Sequence, residues 1–207
     1  MLIQIISAIL LSALISFFAW RAGALSLSGA YTAFFLGSLI FGLGGLPWAV
    51  LLLTFFISSS FLSRFNQRRK MSLMEKFSKG SRRDWGQVLA NGGLGAFLVV
   101  VNHFTQVGDG IWIAYVGAIA AVNADTWATE LGVFSPKPPR LITSAKTVEP
   151  GTSGGVTLRG YLAALAGSAL IGLATALFNP QDSLIVMISS VFAGLMGSTL
   201  DSILGAT

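Results

Sequence analysis

The sequence contains no cysteine and only one histidine, and charged residues make up just 10% of it. Without cysteine, the chain forms no disulfide bonds and supports no thiol chemistry. A single histidine, His103, cannot build a histidine metal site on its own. Soluble domains carry about 25% charged residues. The low charged fraction, together with 54% hydrophobic residues, therefore indicates an integral membrane protein.

Seven hydrophobic stretches approach the length of about 20 residues that a helix needs to cross a bilayer. They predict an all-α, polytopic membrane helix bundle with about seven transmembrane helices. The predicted spans are Ile3–Trp20, Ala24–Gly44, Leu46–Leu62, Val88–Phe104, Ile111–Thr126, Gly160–Phe178 and Leu184–Leu200. Two of them are rich in glycine, so six spans plus a re-entrant segment stay an open alternative. The first stretch lacks a basic leader and a convincing cleavage signature, so we interpret it as a retained helix rather than a signal peptide.

The basic residues divide regularly among the connections between these spans. All 13 lysines and arginines fall in alternate connections, whereas the opposite connections hold only the charged residues Asp109 and Asp182. Because lysine and arginine accumulate on the cytoplasmic side, we expect the N-terminus outside. The expected location is a bacterial cytoplasmic membrane or a thylakoid or plastid-type membrane. We predict a single membrane domain, 1–207, with two long cytoplasmic connections, 63–87 and 132–159.

Small residues recur every four positions in two of the predicted helices. They are Gly29, Ala33 and Gly37 in the second span, and Gly160, Ala164, Ser168, Gly172 and Ala176 in the sixth. Helices in lipid associate where small side chains let two backbones approach each other. We interpret these stripes as packing surfaces and assign them no chemistry.

The fifth predicted span ends in an unusually polar segment, AVNADTWATELG, from Ala121 to Gly132. At about 100° per residue, its polar side chains share one face if the helix continues to Glu130. These side chains are Asn123, Asp125, Thr126, Thr129 and Glu130. Carboxylates near hydrocarbon are costly and usually face a bundle interior or a wet cavity, which makes them candidates for function. The alternative is that Asp125 and Glu130 only mark the cytoplasmic end of the helix.

Two other predicted helices carry polar residues at the same depth. The set at the cytoplasmic start of the fourth span is Arg82, Arg83, Gln87 and Asn91. In the seventh span, Gly194, Ser198 and Asp201 lie on one face beside Gly197, so another backbone can come close to Asp201. The alternative for the two arginines is that they only flank the membrane on its positive side.

The connection before the sixth span contains the segment KTVEPGTSGGVTLRG. Its glycines permit the backbone geometry of anion-binding nests, while its hydroxyls and its lysine add hydrogen-bond donors. The residues concerned are Lys146, Gly151, Thr152, Ser153, Gly154 and Gly155. A Walker A loop has its lysine after the glycines, whereas here the lysine precedes them. A phosphate-binding loop and a flexible turn therefore both stay open.

Oxygen-rich side chains without thiols suit Mg²⁺, which prefers carboxylates together with substrate phosphates. Phosphoryl transfer requires mainly charge neutralisation and positioning, and the basic residues and the glycine loop would supply both. We therefore predict a Mg²⁺–phosphate site at the cytoplasmic membrane surface, where a soluble nucleotide can meet a lipid.

Four segments, QVLANGG, NADTWATELG, KTVEPGTSGGVTLRG and GSTLDSILGAT, resemble in this order the signatures of the integral-membrane phytyl-phosphate (prenyl-phosphate) kinase family. The resemblance covers roughly Arg82 to Thr207. It implies phosphorylation of a phytyl or geranylgeranyl-type monophosphate to the diphosphate, with Mg²⁺ and a nucleoside triphosphate such as CTP, as in vitamin E biosynthesis. The last segment also resembles, distantly, the acidic signature of CDP-lipid synthases and dolichol kinases. Family members generally continue beyond it, so we expect either a short member or a shortened C-terminus.

The resemblance assigns expected roles to the matching residues. Asp125 and Asp201, assisted by Glu130, would hold Mg²⁺, and Lys146 would contact phosphates. The polar helix faces add Arg82, Arg83, Gln87 and Thr126 to the residues that the resemblance implies. The full set expected to bind substrate or nucleotide is therefore Arg82, Arg83, Gln87, Asn91, Asn123, Thr126, Gly151, Thr152, Ser153, Gly154, Gly155 and Ser202. The expected partners are the nucleotide, the prenyl monophosphate and membrane lipids. No nucleic acid is expected, and a homo-oligomer stays open.

Three other functions remain as alternatives. A CTP-dependent lipid cytidylyltransferase would use the same metal but release pyrophosphate. A transporter would also contain glycine-interrupted helices and intramembrane carboxylates, although transport sites lie near the midplane of the membrane. In a third, non-catalytic interpretation, the basic segment from Arg64 to Arg83 is an anionic-lipid anchor. It would attract such lipids whatever the function of the rest of the chain.

Overall fold

A computed structural model of the chain describes residues 1–73, 82–105 and 109–207, without the side chains of 66–73. The described residues form seven α-helices, one π-helical turn and a two-stranded hairpin. The helices are α1 (Leu2–Arg21), α2 (Leu27–Leu39), α3 (Leu46–Leu73), α4 (Trp85–Thr105), α5 (Asp109–Gly132), α6 (Leu158–Ala176) and α7 (Ser183–Gly205). The π-helical turn, Ile40–Gly44, follows α2, and the strands are β1 (Arg140–Leu141) and β2 (Gly155–Val156).

The predicted membrane helix bundle is confirmed. Six helices are long and apolar enough to cross a membrane, namely α1, α2 with the π-helical turn, α3, α4, α6 and α7. The remaining helix, α5, has 24 residues and is about 36 Å long, which exceeds the hydrocarbon thickness of about 30 Å. It also contains Asp109, Asp125 and Glu130, which make it the most acidic of the described helices. The orientation with the N-terminus outside stays a prediction.

Three helices begin at side-chain caps of the expected type. Ser26 and Thr157 accept hydrogen bonds from the backbone amides of Gly29 (3.1 Å) and Gly160 (3.0 Å). Asp84 accepts one from the amide of Gln87 (2.9 Å). Each cap satisfies an amide that has no partner within the helix, so serine, threonine and aspartate fix where α2, α6 and α4 begin.

The segment 63–87, predicted to be a connection, begins instead as helix. No glycine or proline follows Pro47 within α3, which therefore continues to Leu73. The basic residues Lys76 and Lys79, and the side chains of Arg68, Arg69 and Lys70, lie outside the described part of the chain. The second predicted connection, 132–159, contains the β1–β2 hairpin, which the sequence did not indicate.

The chain divides into two compact units, Met1–Tyr115 and Val116–Thr207, and each is described by itself. In the first unit α1 packs against α2, and α2 against α4. The close approach of these segments depends on two glycines of the stripe predicted in the second span. A Cβ at Gly37 would meet the Ser12 hydroxyl at 2.9 Å, and one at Gly29 would overlap the carbonyl oxygen of Arg83. This stripe is a packing surface, as predicted.

The π-helical turn is held by the first helix. The Gln4 side-chain amide donates hydrogen bonds to the carbonyls of Phe41 (3.3 Å) and Gly42 (3.0 Å). A π-helical turn leaves the regular hydrogen-bond pattern of the α-helix, and in a lipid environment its carbonyls need partners from within the protein. Gln4 supplies that partner, and Gly45, at φ +80°, ends the turn.

In the second unit α6 packs closely against α7. Four of the five small residues in the predicted stripe of α6 are buried: Gly160, Ala164, Ser168 and Gly172. A Cβ at Gly194 of α7 would overlap Ser168, and one at Gly172 would meet the backbone of Met187 at 2.9 Å. The second stripe therefore also packs helix against helix.

Candidate functional site

The polar segment of the fifth predicted span is continuous helix, because α5 extends to Gly132. The helix thus continues to Glu130, which is the condition under which its polar residues were predicted to share a face. Asp125 and Glu130 are half-buried and Thr129 is exposed. One turn after Asn123, Trp127 lies so close to α6 that a Cβ at Gly167 would meet its ring at 2.9 Å.

Asp125 of α5 and Asp201 of α7 lie close together, and we call them the acidic pair. The Ser198 hydroxyl, one turn before Asp201, donates a hydrogen bond to Asp125 Oδ1 at 3.4 Å. The two carboxylates are near enough to repel each other electrostatically. Asp125 is half-buried and Asp201 is exposed, so the pair lies where the second unit opens to its surroundings.

Two glycines of α7 bring these carboxylates into range. A Cβ at Gly197 would overlap the side chain of Ala121, which lies one turn before Asp125 on α5. A Cβ at Gly194 would meet the carbonyl oxygen of Ala120 at 3.1 Å. Any larger residue at these positions would push the helices apart, so the glycines of GLMGSTLD set the separation of the acidic pair.

Two like charges in a partly buried position are unfavourable unless a cation or a proton neutralises one of them. A divalent cation would remove the repulsion and use both carboxylates as ligands. Among the residues that the structure describes, no three acidic or histidine side chains come together around one point. The set Asp125, Glu130 and Asp201 is thus not a three-ligand cluster, and Glu130 as a metal ligand stays a prediction.

The connection 132–159 is ordered by its hairpin. Arg140 pairs with Val156 and Leu141 with Gly155 in antiparallel register. The Ile142 amide donates to the Gly154 carbonyl (3.0 Å), which ties the glycine loop to β1. Gly151 (φ +87°) and Gly154 (φ +74°) adopt left-handed backbone conformations that favour glycine.

This glycine loop, 151–155, lies against the C-terminal end of α7. A Cβ at Gly205 would overlap the Ser153 hydroxyl, and one at Gly154 would meet the backbone of Ala206 at 2.8 Å. Gly205 is four residues, or about 6 Å of helix, beyond Asp201. The structure therefore brings the predicted loop to the same end of α7 as the acidic pair.

Several predicted binding residues use their polar groups inside the protein. Asn123 is fully buried and donates a hydrogen bond to the Gly167 carbonyl at 2.7 Å, which joins α5 to α6. The hydroxyls of Thr126 and Ser202 bond to carbonyls of their own helices, and that of Thr152 bonds to the Glu149 carbonyl. For Asn123 above all, this geometry indicates a role in positioning α5, and direct ligand contact stays a prediction.

Lys146 lies in the hairpin with its side chain exposed, and its carbonyl accepts a hydrogen bond from Leu141 (2.8 Å). The neighbouring Ala145 has a positive φ of 56°, so the chain turns sharply just before the lysine. Its contact with a phosphate stays a prediction.

The remaining predicted residues belong to the first unit. Arg82 is exposed, Gln87 and Asn91 are half-buried, and Arg83 turns inward between helices. The Arg83 guanidinium donates a hydrogen bond to the Ser60 hydroxyl at 3.0 Å. It also lies 5.7 and 5.8 Å from the ring centres of Phe55 and Phe56. Whether these residues share a site with the acidic pair stays a prediction.

Comparison with known proteins places the chain among membrane proteins. It is 36% identical over 227 residues to Protein PGR of Arabidopsis thaliana, covering 99% of this chain and 78% of that protein. It is 30% identical to an uncharacterised membrane protein of Methanocaldococcus jannaschii, over 99% of this chain and 83% of that one. It is also 26% identical to Protein VTE6, chloroplastic, of Arabidopsis thaliana, over 88% of this chain and 56% of that protein.

No solved structure matches the chain. The family described as "Integral membrane protein DUF92" matches residues 10–207, which include the four motifs and the acidic pair. The family relationship predicted from those motifs is therefore confirmed. The chain belongs to the DUF92 family of integral membrane proteins.

Proposed function

We propose that the protein is a membrane-embedded kinase that phosphorylates a prenyl monophosphate to the diphosphate, with a nucleoside triphosphate, expected to be CTP, and Mg²⁺. The observation that carries this proposal is the acidic pair, held together by the glycine contacts of α7 and by Ser198. The resemblance of the four motifs to prenyl-phosphate kinases supports the substrate class.

The donor set of the acidic pair fits Mg²⁺. In nucleotide enzymes this ion is usually bound through one or two carboxylates and completes its shell with water and substrate phosphates. Asp125 and Asp201 would hold it from two different helices. When bound, the ion would neutralise charge on the triphosphate and orient it.

The chemistry needs little more from the protein. An oxygen of the lipid monophosphate would attack the γ-phosphorus, the bond from that phosphorus to the β–γ bridging oxygen would break, and a nucleoside diphosphate would leave. A phosphate dianion is already nucleophilic, so no catalytic base is required. Lys146 would neutralise phosphate charge, and the glycine loop, lying near the acidic pair, would contact phosphate oxygens.

The location of the chemistry follows from the same residues. The acidic pair and the glycine loop lie at the ends of α5 and α7 that adjoin the basic connection 132–159. If that connection is cytoplasmic, as the charge distribution predicts, the site faces the cytoplasm. A soluble nucleotide would reach it from water and the prenyl chain from the bilayer.

A direct test uses the purified full-length protein with farnesyl, geranylgeranyl and phytyl monophosphates, four nucleoside triphosphates and Mg²⁺, with products identified by lipid mass. CTP labelled at the γ-phosphate should transfer its label to the lipid. Label from the α-phosphate in the lipid, with release of pyrophosphate, would instead identify a cytidylyltransferase. No lipid product, and no Mg²⁺-dependent thermal shift with any nucleotide, would reject both enzymes and favour a transporter.

A further inference from the structure

The first unit contains an apolar cavity of about 170 Å³ that lies among α1, α2, α3 and α4. On α1 its lining extends from Leu11 to Ala19, and on α3 from Leu46 to Phe56. At 1.5 Å per residue these stretches correspond to about 12 and 15 Å. The cavity is therefore narrow and follows the direction of the helices.

The volume and the shape together limit the ligand. An apolar cavity of about 150 Å³ takes up a benzene molecule, so this one holds roughly seven carbon atoms. Spread over at least 12 Å of helix, that volume admits one hydrocarbon chain and leaves no room for a second beside it. Fifteen of the 21 lining residues are aliphatic, aromatic or alanine, which suits a hydrocarbon chain and disfavours water.

One end of this cavity carries a positive charge. Arg83 lines it close to the start of α2, since its amide and carbonyl bond to Ala24 and Ser26. Asn91 of α4, eight residues after Arg83, also lines the cavity. A charged side chain facing the interior of a membrane bundle is costly, and such residues usually mark a ligand pathway. Guanidinium groups bind phosphate through two parallel hydrogen bonds.

We propose that this cavity binds a single-chain lipid phosphate, with the phosphate at Arg83 and roughly seven carbons of the hydrocarbon chain between α1, α2 and α3, while the rest of a longer chain continues into the surrounding lipid. The narrow cavity admits only one hydrocarbon chain, and the arginine at one end indicates an anionic head group. We identify this lipid with the prenyl monophosphate of the proposed function, and only this identification rests on that proposal. Binding requires neither nucleotide nor metal, so it is measured apart from phosphoryl transfer.

Two substitutions test the two halves of the site. Arg83→Gln removes the charge, and Arg64→Gln, an exposed arginine of α3 outside the cavity, is its control. Ala33→Leu fills the cavity from α2, and Ala13→Leu, on the exposed side of α1, is the control for added bulk. Val50→Phe fills the cavity from α3 and replaces Ala33→Leu if that variant does not fold.

The measurement is equilibrium binding of radiolabelled farnesyl monophosphate to full-length protein in nanodiscs of neutral lipid, without nucleotide or divalent cations. We expect Arg83→Gln and the cavity-filling variant to weaken binding at least about tenfold, and both controls to stay within about twofold of the unchanged protein. Farnesol should compete poorly, because it lacks the phosphate, and two-chain phosphatidic acid should compete poorly because its second chain does not fit.

Three results would overturn the proposal. Equal binding by the cavity-filling variant and its control would show that the chain lies elsewhere. If farnesol competes as well as farnesyl monophosphate, the phosphate does not contact Arg83. If phosphatidic acid competes equally well, the lipid binds to a surface rather than in a single-chain cavity. Absence of kinase activity with normal, variant-sensitive binding would reject the proposed function and keep this site.

Discussion

Ser198 of α7 donates a hydrogen bond to the carboxylate of Asp125 on α5, 73 residues earlier in the chain. This contact joins the two helices at the level where the acidic pair forms. A hydroxyl that donates to a carboxylate stabilises its charged form, whereas the nearby Asp201 opposes it. Partial burial also opposes the charged form, and more strongly than Asp201 does. A bound cation would offset both of these effects.

Replacing either member of the acidic pair should abolish activity and leave the fold intact. Asp125→Asn and Asp201→Asn each remove one carboxylate ligand and also the repulsion between the two, so neither should lower the thermal stability in detergent. We expect turnover to fall at least about 100-fold, measured by lipid diphosphate formation. The control is Asp182→Asn, an exposed carboxylate before the other end of α7. Near-normal turnover in either variant would exclude that residue from metal binding.

The separation of α5 and α7 should be sensitive to one added methyl group. Gly197→Ala places a Cβ against Ala121, and such overpacking typically costs about 1–3 kcal/mol. We expect a lower unfolding temperature and, because the acidic pair is displaced, weaker Mg²⁺ dependence of activity. Gly110→Ala is the matched control, since a Cβ there meets nothing within 4 Å. Identical behaviour of the two variants would show that the helices adjust freely.

Much of the fold follows from the sequence because lipid leaves few alternatives. An unsatisfied backbone group in hydrocarbon is so costly that an apolar run of this length becomes helix, and each of the seven runs did. The π-helical turn at Ile40–Gly44 was not predictable, because its carbonyls depend on Gln4, 37 and 38 residues away. The hairpin escaped prediction because each strand has only two residues.

The acidic pair was predictable for a related reason. Carboxylates beside hydrocarbon persist only where the interior of the bundle receives them, and two such residues on different helices at similar depth are expected to meet. The role of Asn123 was not predictable, because the sequence places it in the same polar arc as Asp125. Only the structure shows that it is buried and bonded to Gly167, 44 residues away.

Asn123 should therefore matter more for stability than for ligand affinity. Asn123→Leu keeps a similar volume but leaves the Gly167 carbonyl without this donor inside the protein, at a cost of about 1–3 kcal/mol. We expect a clear fall in the unfolding temperature, with the nucleotide KM of the folded fraction changed less than about threefold. A large rise in KM at unchanged stability would instead show that the amide contacts the nucleotide, as the sequence predicted.

Substitution of Lys146 tests whether the hairpin binds a phosphate or only carries positive charge. It is exposed in the connection that contains the glycine loop, so Lys146→Ala should cost almost no stability. If the lysine neutralises a phosphate of the bound nucleotide, the KM for the nucleotide should rise about tenfold, as expected for the loss of one charged hydrogen bond. Lys137→Ala, another exposed lysine of the same connection, removes the same charge outside the hairpin and should leave KM unchanged. Equal effects of the two substitutions would mean that both lysines act only through the overall positive charge of this connection.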